Sequence, residues 1–290
     1  VESVPVSVND RTRFIYEAAC CGLRDFFVKN GYKKACVGVS GGIDSAVVAC
    51  LAVAALGAEN VRGLMMPSQF SSEGSVEDAK QLAENLGIEF HVVPITEAYR
   101  SIVDTLIPVI GGTDFDATEE NIQSRIRTLM LMALQNKNGY VLLNCSNKSE
   151  NALGICTLYG DTGGAFSVTG DLYKTEMYDL ARYINRKFGA PIPENILTKE
   201  PSSELRPNQK DSDMLPSYEV VDAILYRLIE DGQSREEIIN AGFDSDEVQK
   251  IYAMVMRNEK KRFQYPPVLR LSSSSFGHEY RMPLTHKYVK

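Results

Sequence analysis

Hydrophobic residues in the first two-thirds of the chain form short continuous runs, and segments with helical periodicity separate them. Five runs are apolar and rich in β-branched residues, which is typical of strands buried on both faces. They predict strands over residues 35–39, 61–66, 90–95, 140–145 and 166–169. The segments between them predict helices over residues 44–56, 76–86 and 119–135, each followed by glycine within a few residues. This alternation predicts an α/β fold, a doubly wound parallel sheet of five strands with helices on both faces.

The pattern changes at Pro191. Prolines punctuate the polar residues 191–216, which predicts a loop. Three helical segments follow, and two of them begin at capping-box spacings, at Ser234 and Asp244; the last is predicted to end in the basic residues 260–262. We therefore expect one domain over residues 1–290. It comprises a sheet core (1–190), a lid loop (191–216) and a helical extension with a tail (217–290).

The bulk composition excludes several classes of protein. The 290 residues carry a formal net charge of −7 with no basic region, which argues against a nucleic-acid partner. The longest apolar stretch, residues 46–56, is too short to cross a membrane, and the N-terminal residues do not resemble a signal peptide. Six cysteines without a CxxC pair indicate a reducing cytoplasm, with neither disulfides nor a zinc site.

A glycine turn, Ser40-Gly41-Gly42, follows the first predicted strand and opens a helix. Backbone N–H groups at such a position bind phosphate, and glycine permits close approach. Asp44 stands where a phosphate-binding loop of the commonest kind has lysine, and a carboxylate beside phosphates requires a cation such as Mg²⁺. The turn therefore predicts a magnesium pyrophosphate site and cleavage of ATP between its α and β phosphates. The alternative is a tight strand-to-helix turn in which Asp44 only complements the helix dipole.

The motif SGGxDS resembles the signature of the N-type ATP pyrophosphatases, which have an adenine nucleotide alpha hydrolase-like fold. Residues 66–79, 118–150, 158–182, 199–205 and 258–268 resemble, in the same order, the synthetase part of glutamine-dependent NAD synthetases. The resemblance covers nearly the whole chain. It implies ATP-dependent amidation of nicotinic acid adenine dinucleotide (deamido-NAD) to NAD. An acyl adenylate would be the intermediate, Mg²⁺ would assist, and AMP and pyrophosphate would be released.

The resemblance also implies a set of site residues. The expected ATP-binding residues are Gly38, Ser40, Gly41, Gly42, Asp44, Ser45, Cys145, Lys174, Lys199 and Ser202. The expected deamido-NAD-binding residues are Asn121, Arg125, Glu150, Ile155, Thr157, Leu158, Asp161 and Lys261. Asp44 and Glu150 are expected to hold Mg²⁺, and these two residues with Lys174 are the expected catalytic residues. The family usually has threonine where this chain has Cys145.

Several of these residues also have a plainer interpretation. Asn121 and Arg125 are four apart on one helical face, but the arginine could pair with a neighbouring glutamate instead. A different, apolar face is expected to comprise Ile122, Ile126 and Leu129. Glu150 alone reads as an exposed helical carboxylate, and Lys261 as a charge at a helix C-terminus. Lys174 would lie at the helix end that disfavours a cation, which indicates an anionic ligand.

The nitrogen donor is the remaining question. The glutamine-dependent family carries a nitrilase-like glutaminase region, for which this chain has no room, and the chain begins with Val1. We therefore expect a synthetase domain that uses ammonia directly. The resemblance also implies a homodimer or higher oligomer, in which Lys261 could reach a partner's site. A natural ammonia-using enzyme is an alternative, but at Leu158 and Ala165 the chain departs from the small ammonia-only enzymes. The alternatives are another adenylating pyrophosphatase, such as a GMP synthetase subunit or a tRNA-thiolating enzyme, and a nucleotide sensor.

Overall fold

The computed structural model describes residues 8–111 and 114–287. The strands are β1 (Lys34–Gly38), β2 (Val61–Met65), β3 (Glu89–Val92), β4 (Tyr140–Asn144) and β5 (Phe166–Ser167). The helices are α1 (Val8–Lys29), α2 (Ile43–Leu56), α3 (Glu73–Leu86), α4 (Thr96–Ile110), α5 (Ala117–Asn138), α6 (Lys148–Leu153), α7 (Lys174–Phe188), α8 (Glu194–Thr198), α9 (Tyr218–Ile229), α10 (Arg235–Asn240), α11 (Ser245–Arg257) and α12 (Glu259–Arg262).

All five strands are parallel, in the order β3-β2-β1-β4-β5. Ala35 of the central strand β1 is opposite Val61 of β2 and Val141 of β4. The fold class predicted from the hydrophobic pattern is confirmed. The chain order reverses between β1 and β4, and the crevice beyond the carboxyl ends of such a pair is where open α/β sheets bind ligands.

Both faces of the central strand are covered. Ala35 and Val37 belong to the apolar cluster that includes residues of α1, α2 and α7, whereas Cys36 belongs to the cluster formed with α4 and α5. Side chains alternate between the faces of a strand, so a continuous apolar run is needed to fill both clusters. A third cluster joins α6 to the C-terminal helices α9, α10 and α11.

The prediction for the third strand was wrong in part. The strand covers Glu89–Val92 and not residues 90–95, and three of its four residues are exposed. It pairs only with β2 and forms an edge of the sheet, so it is not buried on both faces. An edge strand in contact with solvent tolerates charged and polar residues, such as Glu89 and His91.

Two helical predictions also need correction. Helix α3 begins at Glu73 and not after Ser75, because the Ser72 side chain accepts a hydrogen bond from the Ser75 N–H and caps the helix. Leu129 does not share the buried face of Ile122 and Ile126. It is 66% exposed although helical spacing brings it back to nearly the same side as Ile122, because burial depends on which neighbouring element covers that side.

The C-terminal part follows the prediction with two differences. Ser234 forms a capping box with Glu237 as predicted, but α11 ends at Arg257 instead of continuing through residues 260–262. The Asn258 side chain donates to the carbonyls of Leu153 and Met254 at this break. The stretch 191–216 is not entirely loop, since it contains α8 and a 3₁₀ turn at Asp211–Asp213.

The described cysteines are all free, as expected. Among residues 8–111 and 114–287, every helix is too short or too polar to span a lipid bilayer.

The turn after β1 depends on a single glycine. Gly41 has φ of +79°, and a Cβ atom there would lie 2.2 Å from the backbone carbonyl oxygen of Ser75. The turn therefore packs against the first turn of α3 with no space for a side chain. Ser45 completes it, since its hydroxyl accepts from the Ser40 N–H and donates to the Gly42 carbonyl.

We predict that Gly41→Ala destabilises the fold by about 1–3 kcal/mol more than Gly31→Ala, because it adds a clash to the conformational cost. Gly31 has φ of +74°, and a Cβ atom there would meet no other atom within 4 Å, so this position isolates the conformational cost, about 1–2 kcal/mol. Urea unfolding of both variants measures the difference. Equal losses would show that the contact with Ser75 is not rigid.

Candidate active site

A cavity of about 320 Å³ opens at the carboxyl ends of β1 and β4, at the reversal point of the sheet. It is lined by the glycine turn, the end of β2, one side of α5, the segment from β4 into α6, the start of α7 and the loop after α8. The predicted site residues that line it are Gly38, Ser40, Gly42, Asp44, Ser45, Cys145, Glu150, Ile155, Asp161, Lys174, Lys199 and Ser202.

The centre of the cavity is a cluster of three charges. The Lys174 Nζ lies 2.5 Å from Asp44 Oδ2 and 3.4 Å from Glu150 Oε1. The Asn147 side chain donates to the second carboxylate oxygen of Asp44 at 2.9 Å. The three predicted catalytic residues come from α2, α6 and α7, and the structure brings them together.

This cluster places two carboxyl groups and one ammonium in a poorly solvated environment. Burial, and then the negative charge of Asp44, raise the pKa of Glu150, and the nearby Lys174 only partly offsets this effect. Burial acts to lower the pKa of Lys174, but the charges of Asp44 and Glu150 outweigh it and raise that pKa well above its usual value. Lys174 is therefore a permanent cation that neutralises Asp44, whereas Glu150 holds its proton more readily than a carboxyl in water, and a further cation would favour its ionised form.

Neighbouring groups fix the position of Lys174 in a second layer. Its backbone N–H donates to the Ser149 hydroxyl, and that hydroxyl donates to Asp222 at 2.5 Å. The other oxygen of Asp222 accepts from the Thr175 N–H at 2.8 Å. A carboxylate at the N-terminus of α7 complements the helix dipole and satisfies a free N–H. These hydrogen bonds stabilise the start of α7 with Lys174 as its first residue, although a positive charge is unfavourable at the N-terminal end of a helix dipole.

A second buried lysine lies directly behind this layer. Lys148 is fully buried and forms ion pairs with Asp171 and Glu230. It also donates to the Ser272 hydroxyl and to the Ser274 carbonyl. The C-terminal tail is thus attached to the first residue of the short helix that carries Glu150.

The loop after α8 closes one side of the cavity. Lys199 donates to Ser75 Oγ and forms an ion pair with Asp78, both at 3.0 Å. Glu204 has φ of +48°, and its carboxylate accepts from the Ser72 N–H and from the hydroxyls of Ser72 and Ser75. Ser202 lines the cavity and accepts from the Glu204 N–H. The loop is therefore held against the N-terminus of α3, next to the glycine turn.

Apart from Gly41, which packs against Ser75, the remaining predicted residues belong to or contact the segment between α6 and β5 instead of lining the cavity. The Asn121 side chain accepts from the Thr157 hydroxyl at 2.6 Å, and Arg125 Nε donates to the Leu158 carbonyl at 3.2 Å. The predicted common face of Asn121 and Arg125 is confirmed, and Arg125 contacts this segment and not Glu119 or Glu120. Lys261 donates to the carbonyls of Gly154 and Cys156.

Asp161 connects this segment to the cavity. Its carboxylate accepts from the Thr157 N–H at 2.7 Å and from the Ser124 hydroxyl. Asp161 lines the cavity, and desolvation by the surrounding protein raises its pKa to about 6 despite these hydrogen bonds. Cys145 also faces the cavity, and burial raises the pKa of its thiol. That thiol stays protonated and is a weak hydrogen-bond donor.

The polar residues of the cavity and its surroundings that sequence reasoning missed include Arg127, Asn147 and Glu204. Asn147 caps α6 through the Glu150 N–H while it donates to Asp44. Helical periodicity places Arg127 on the same side of α5 as Gln123 and Leu131, four residues to either side of it, and both of these are buried. This pattern could have indicated that Arg127 also faces the interior. Glu204 had no such signal, because its partners are about 130 residues away in the sequence.

No group of three or more His, Cys, Asp or Glu side chains that could hold a metal ion is found within residues 8–111 and 114–287. The pair Asp44 and Glu150 is a different kind of donor set. Two carboxylates beside a phosphate-binding turn suit Mg²⁺, which usually takes its other ligands from phosphate and water.

Comparison with known proteins identifies related chains. Residues 15–265 match the family model described as NAD synthase. A glutamine-dependent NAD(+) synthetase of Aquifex aeolicus is 52% identical over 276 residues, which are 95% of this chain and 48% of the relative. The chain therefore spans about half the length of this curated relative.

Solved structures are also similar. A glutamine-dependent NAD⁺ synthetase of Acinetobacter baumannii, solved with ADP, has a TM-score of 0.65 and 40% identity, and the match covers 98% of this chain and 51% of that one. An NH₃-dependent NAD synthetase of Campylobacter jejuni, solved with a nitrate ion, has a TM-score of 0.69 and 30% identity. That match covers 86% of this chain and 95% of the other.

The buried Asp222 leads to a prediction of how the stability of the fold depends on pH. Burial raises its pKa to about 6, so the folded protein binds a proton there more readily than the unfolded chain does. Its contribution to stability is therefore fully present below about pH 4 and is lost as the pH rises through about 6. Asp222→Asn removes this titration, and the amide can still accept from the Thr175 N–H.

The free energy of unfolding of Asp222→Asn, relative to wild type, should rise by up to about 3 kcal/mol between pH 4 and pH 7. Urea unfolding across this range measures it. Asp25→Asn, at the exposed ion pair with Lys29, is the control and should show no comparable rise. A constant difference between Asp222→Asn and wild type would contradict the raised pKa.

Proposed function

The chain belongs to the NAD synthase family, and we propose that it catalyses the ATP-dependent amidation of deamido-NAD to NAD. The observation that carries the proposal is the cluster of Asp44, Lys174 and Glu150 beside the glycine turn. A phosphate-binding turn that is combined with paired carboxylates, and not with a turn lysine, suits release of pyrophosphate from ATP.

The ATP phosphates would bind at the glycine turn. The turn offers backbone N–H groups at the start of α2, and Lys174 offers a buried positive charge. Lys199 and Ser202 on the loop after α8 would close over the triphosphate, and Cys145 would lie beside the nucleotide. The related A. baumannii enzyme was solved with ADP, which supports an adenine nucleotide as a ligand.

Asp44 and Glu150 would hold Mg²⁺. Burial, and then the negative charge of Asp44, raises the pKa of Glu150, and a bound cation would favour the ionised form of this carboxylate. When bound, Mg²⁺ would offset the negative charge that develops on the phosphates and on departing pyrophosphate.

Deamido-NAD would bind along the segment between α6 and β5. Its contacts would include Asn121, Arg125 and Lys261, which already hold that segment through hydrogen bonds. Ile155, Thr157, Leu158 and Asp161 would border the nicotinate, with Glu150 between the two substrates.

The reaction would proceed in two steps. A nicotinate carboxylate oxygen bonds to the α-phosphorus of ATP, the bond between the α-phosphorus and the bridging oxygen breaks, and pyrophosphate leaves. Ammonia then attacks the acyl carbon, the bond to the adenylate oxygen breaks, and AMP and one proton leave. The site residues position the substrates and stabilise charge, so no side-chain nucleophile is needed.

We further propose a cytoplasmic homodimer, and an association with a glutaminase domain where that domain is present. Exposed apolar side chains on the packed helices α4 and α5, such as Val109 and Leu129, support contact with a second copy. Lys261 would then act at the dinucleotide site from within or across the interface.

We expect Asp44→Asn to lower the rate of NAD formation by about 100-fold or more, because a metal contributes several kcal/mol to phosphoryl transfer. The rate should be measured at several Mg²⁺ concentrations. Asp25→Asn on the exposed face of α1 is a control for the same change of charge. A rate within threefold of wild type would exclude Asp44 from the metal site.

The nitrogen donor gives the decisive test of function. The 290-residue chain, supplied with ATP, Mg²⁺ and deamido-NAD, should form NAD from ammonium salts and not from glutamine. The rate should rise with pH as the fraction of unprotonated ammonia increases, until the protein unfolds. Pyrophosphate should appear only when deamido-NAD is present. Appreciable NAD from glutamine alone would refute direct use of ammonia, and pyrophosphate released with a different acceptor would indicate another adenylating enzyme.

A further inference from the structure

Arg127 on α5 faces the cavity, although it is not among the residues that the sequence predicted for the site. Its Nε donates to the Met66 carbonyl at 2.9 Å, just beyond the end of β2. Its two terminal nitrogens have no hydrogen-bond partner among the described residues and are not sealed from solvent, so they are open to the cavity.

Arg127 differs from the other cations that line the cavity. Lys174 is paired with Asp44 and Glu150, and Lys199 is paired with Asp78. No carboxylate in the described part of the chain lies within 4.0 Å of the Arg127 guanidinium. It is therefore the lining cation whose donors are available to an anion.

The surroundings make such an unpaired charge costly. Burial lowers the pKa of Arg127 to about 10, although the charges of Glu204 and Asp161 oppose this effect. The guanidinium is thus still charged at neutral pH without full solvation or a close counter-ion. A desolvated cation with a free fork of donors is matched by a phosphate, which it can bind through two parallel hydrogen bonds.

The position of Arg127 indicates which phosphate of ATP it binds. Its hydrogen bond to Met66 fixes it at the end of β2, and the two carboxylates whose charges act on it belong to different parts of the cavity lining. Glu204 belongs to the loop after α8, and Asp161 belongs to the proposed dinucleotide segment. The backbone N–H groups of the glycine turn serve the β and γ phosphates, whereas the α-phosphate must lie where the two substrates meet.

We infer that Arg127 binds the α-phosphate of ATP with its terminal nitrogens. This assignment rests on the proposed function for the identity of the substrate. Arg127 is a contact for the phosphate that is attacked, and it would also hold the phosphate of the adenylate after pyrophosphate has left. Arg125, two residues earlier on the same helix, faces the dinucleotide segment instead.

The test is calorimetric binding of four probes to the 290-residue chain in the presence of Mg²⁺: ATP, AMP, pyrophosphate and deamido-NAD. Arg127→Met should weaken ATP and AMP at least about 10-fold and leave pyrophosphate and deamido-NAD within about threefold. Arg125→Met is the matched control and should show the reverse, with weaker deamido-NAD and unchanged ATP. Unchanged binding of ATP and AMP to Arg127→Met would overturn the assignment, as would a loss confined to pyrophosphate or to deamido-NAD.

If Arg127→Met does not fold, Arg127→Lys provides the test. It keeps the charge but replaces a planar fork by a single ammonium, so it should still weaken AMP binding. Full AMP affinity in a folded Arg127→Lys would overturn the assignment. Because binding is measured without a nitrogen source, a wild-type chain that binds ATP but makes no NAD would contradict the proposed function and not this contact.

Discussion

The ion pairs of Lys174 with Asp44 and Glu150 connect three parts of the chain that are far apart in sequence. Each residue lies at or near the start of a helix, and each of these helices meets the same end of the sheet. A buried ammonium between two carboxylates is tolerated only when all three groups remain in place, because the loss of one partner leaves an unpaired buried charge. The geometry of α2, α6 and α7 therefore depends on this one interaction.

The surrounding structure consists largely of polar groups that support it. Ser149 and Asp222 fix the backbone at the start of α7, and Asn147 orients Asp44. Lys148 ties the start of α6 to Glu230 and to the C-terminal tail. These contacts explain why the helical extension, which contributes few residues to the cavity, packs so closely behind it. It supplies the carboxylates that a core of apolar side chains could not.

The cavity has two regions of different chemistry. Near the glycine turn, backbone N–H groups and lysines favour phosphates. Around Asp161 the groups are hydrogen-bonded to one another, and the segment that carries them is held by Asn121, Arg125 and Lys261. Arg127 lies between the two regions. In the proposed reaction one substrate activates the other, and this separation would let both anions approach without sharing the same donors.

The sequence by itself determined the parallel sheet, because strands buried on both faces require continuous apolar runs. It also determined the glycine turn with its aspartate, since only certain residues permit that backbone and that charge. The α3 cap at Ser72, the exposed edge strand and the exposure of Leu129 were not predicted correctly, because each depends on which neighbour covers a surface. Only the tertiary structure placed Glu204 against Ser75 and left Arg127 unpaired in the cavity. Electrostatic partners are set by distances in space, and local sequence carries no record of partners that lie about 100 residues or more away.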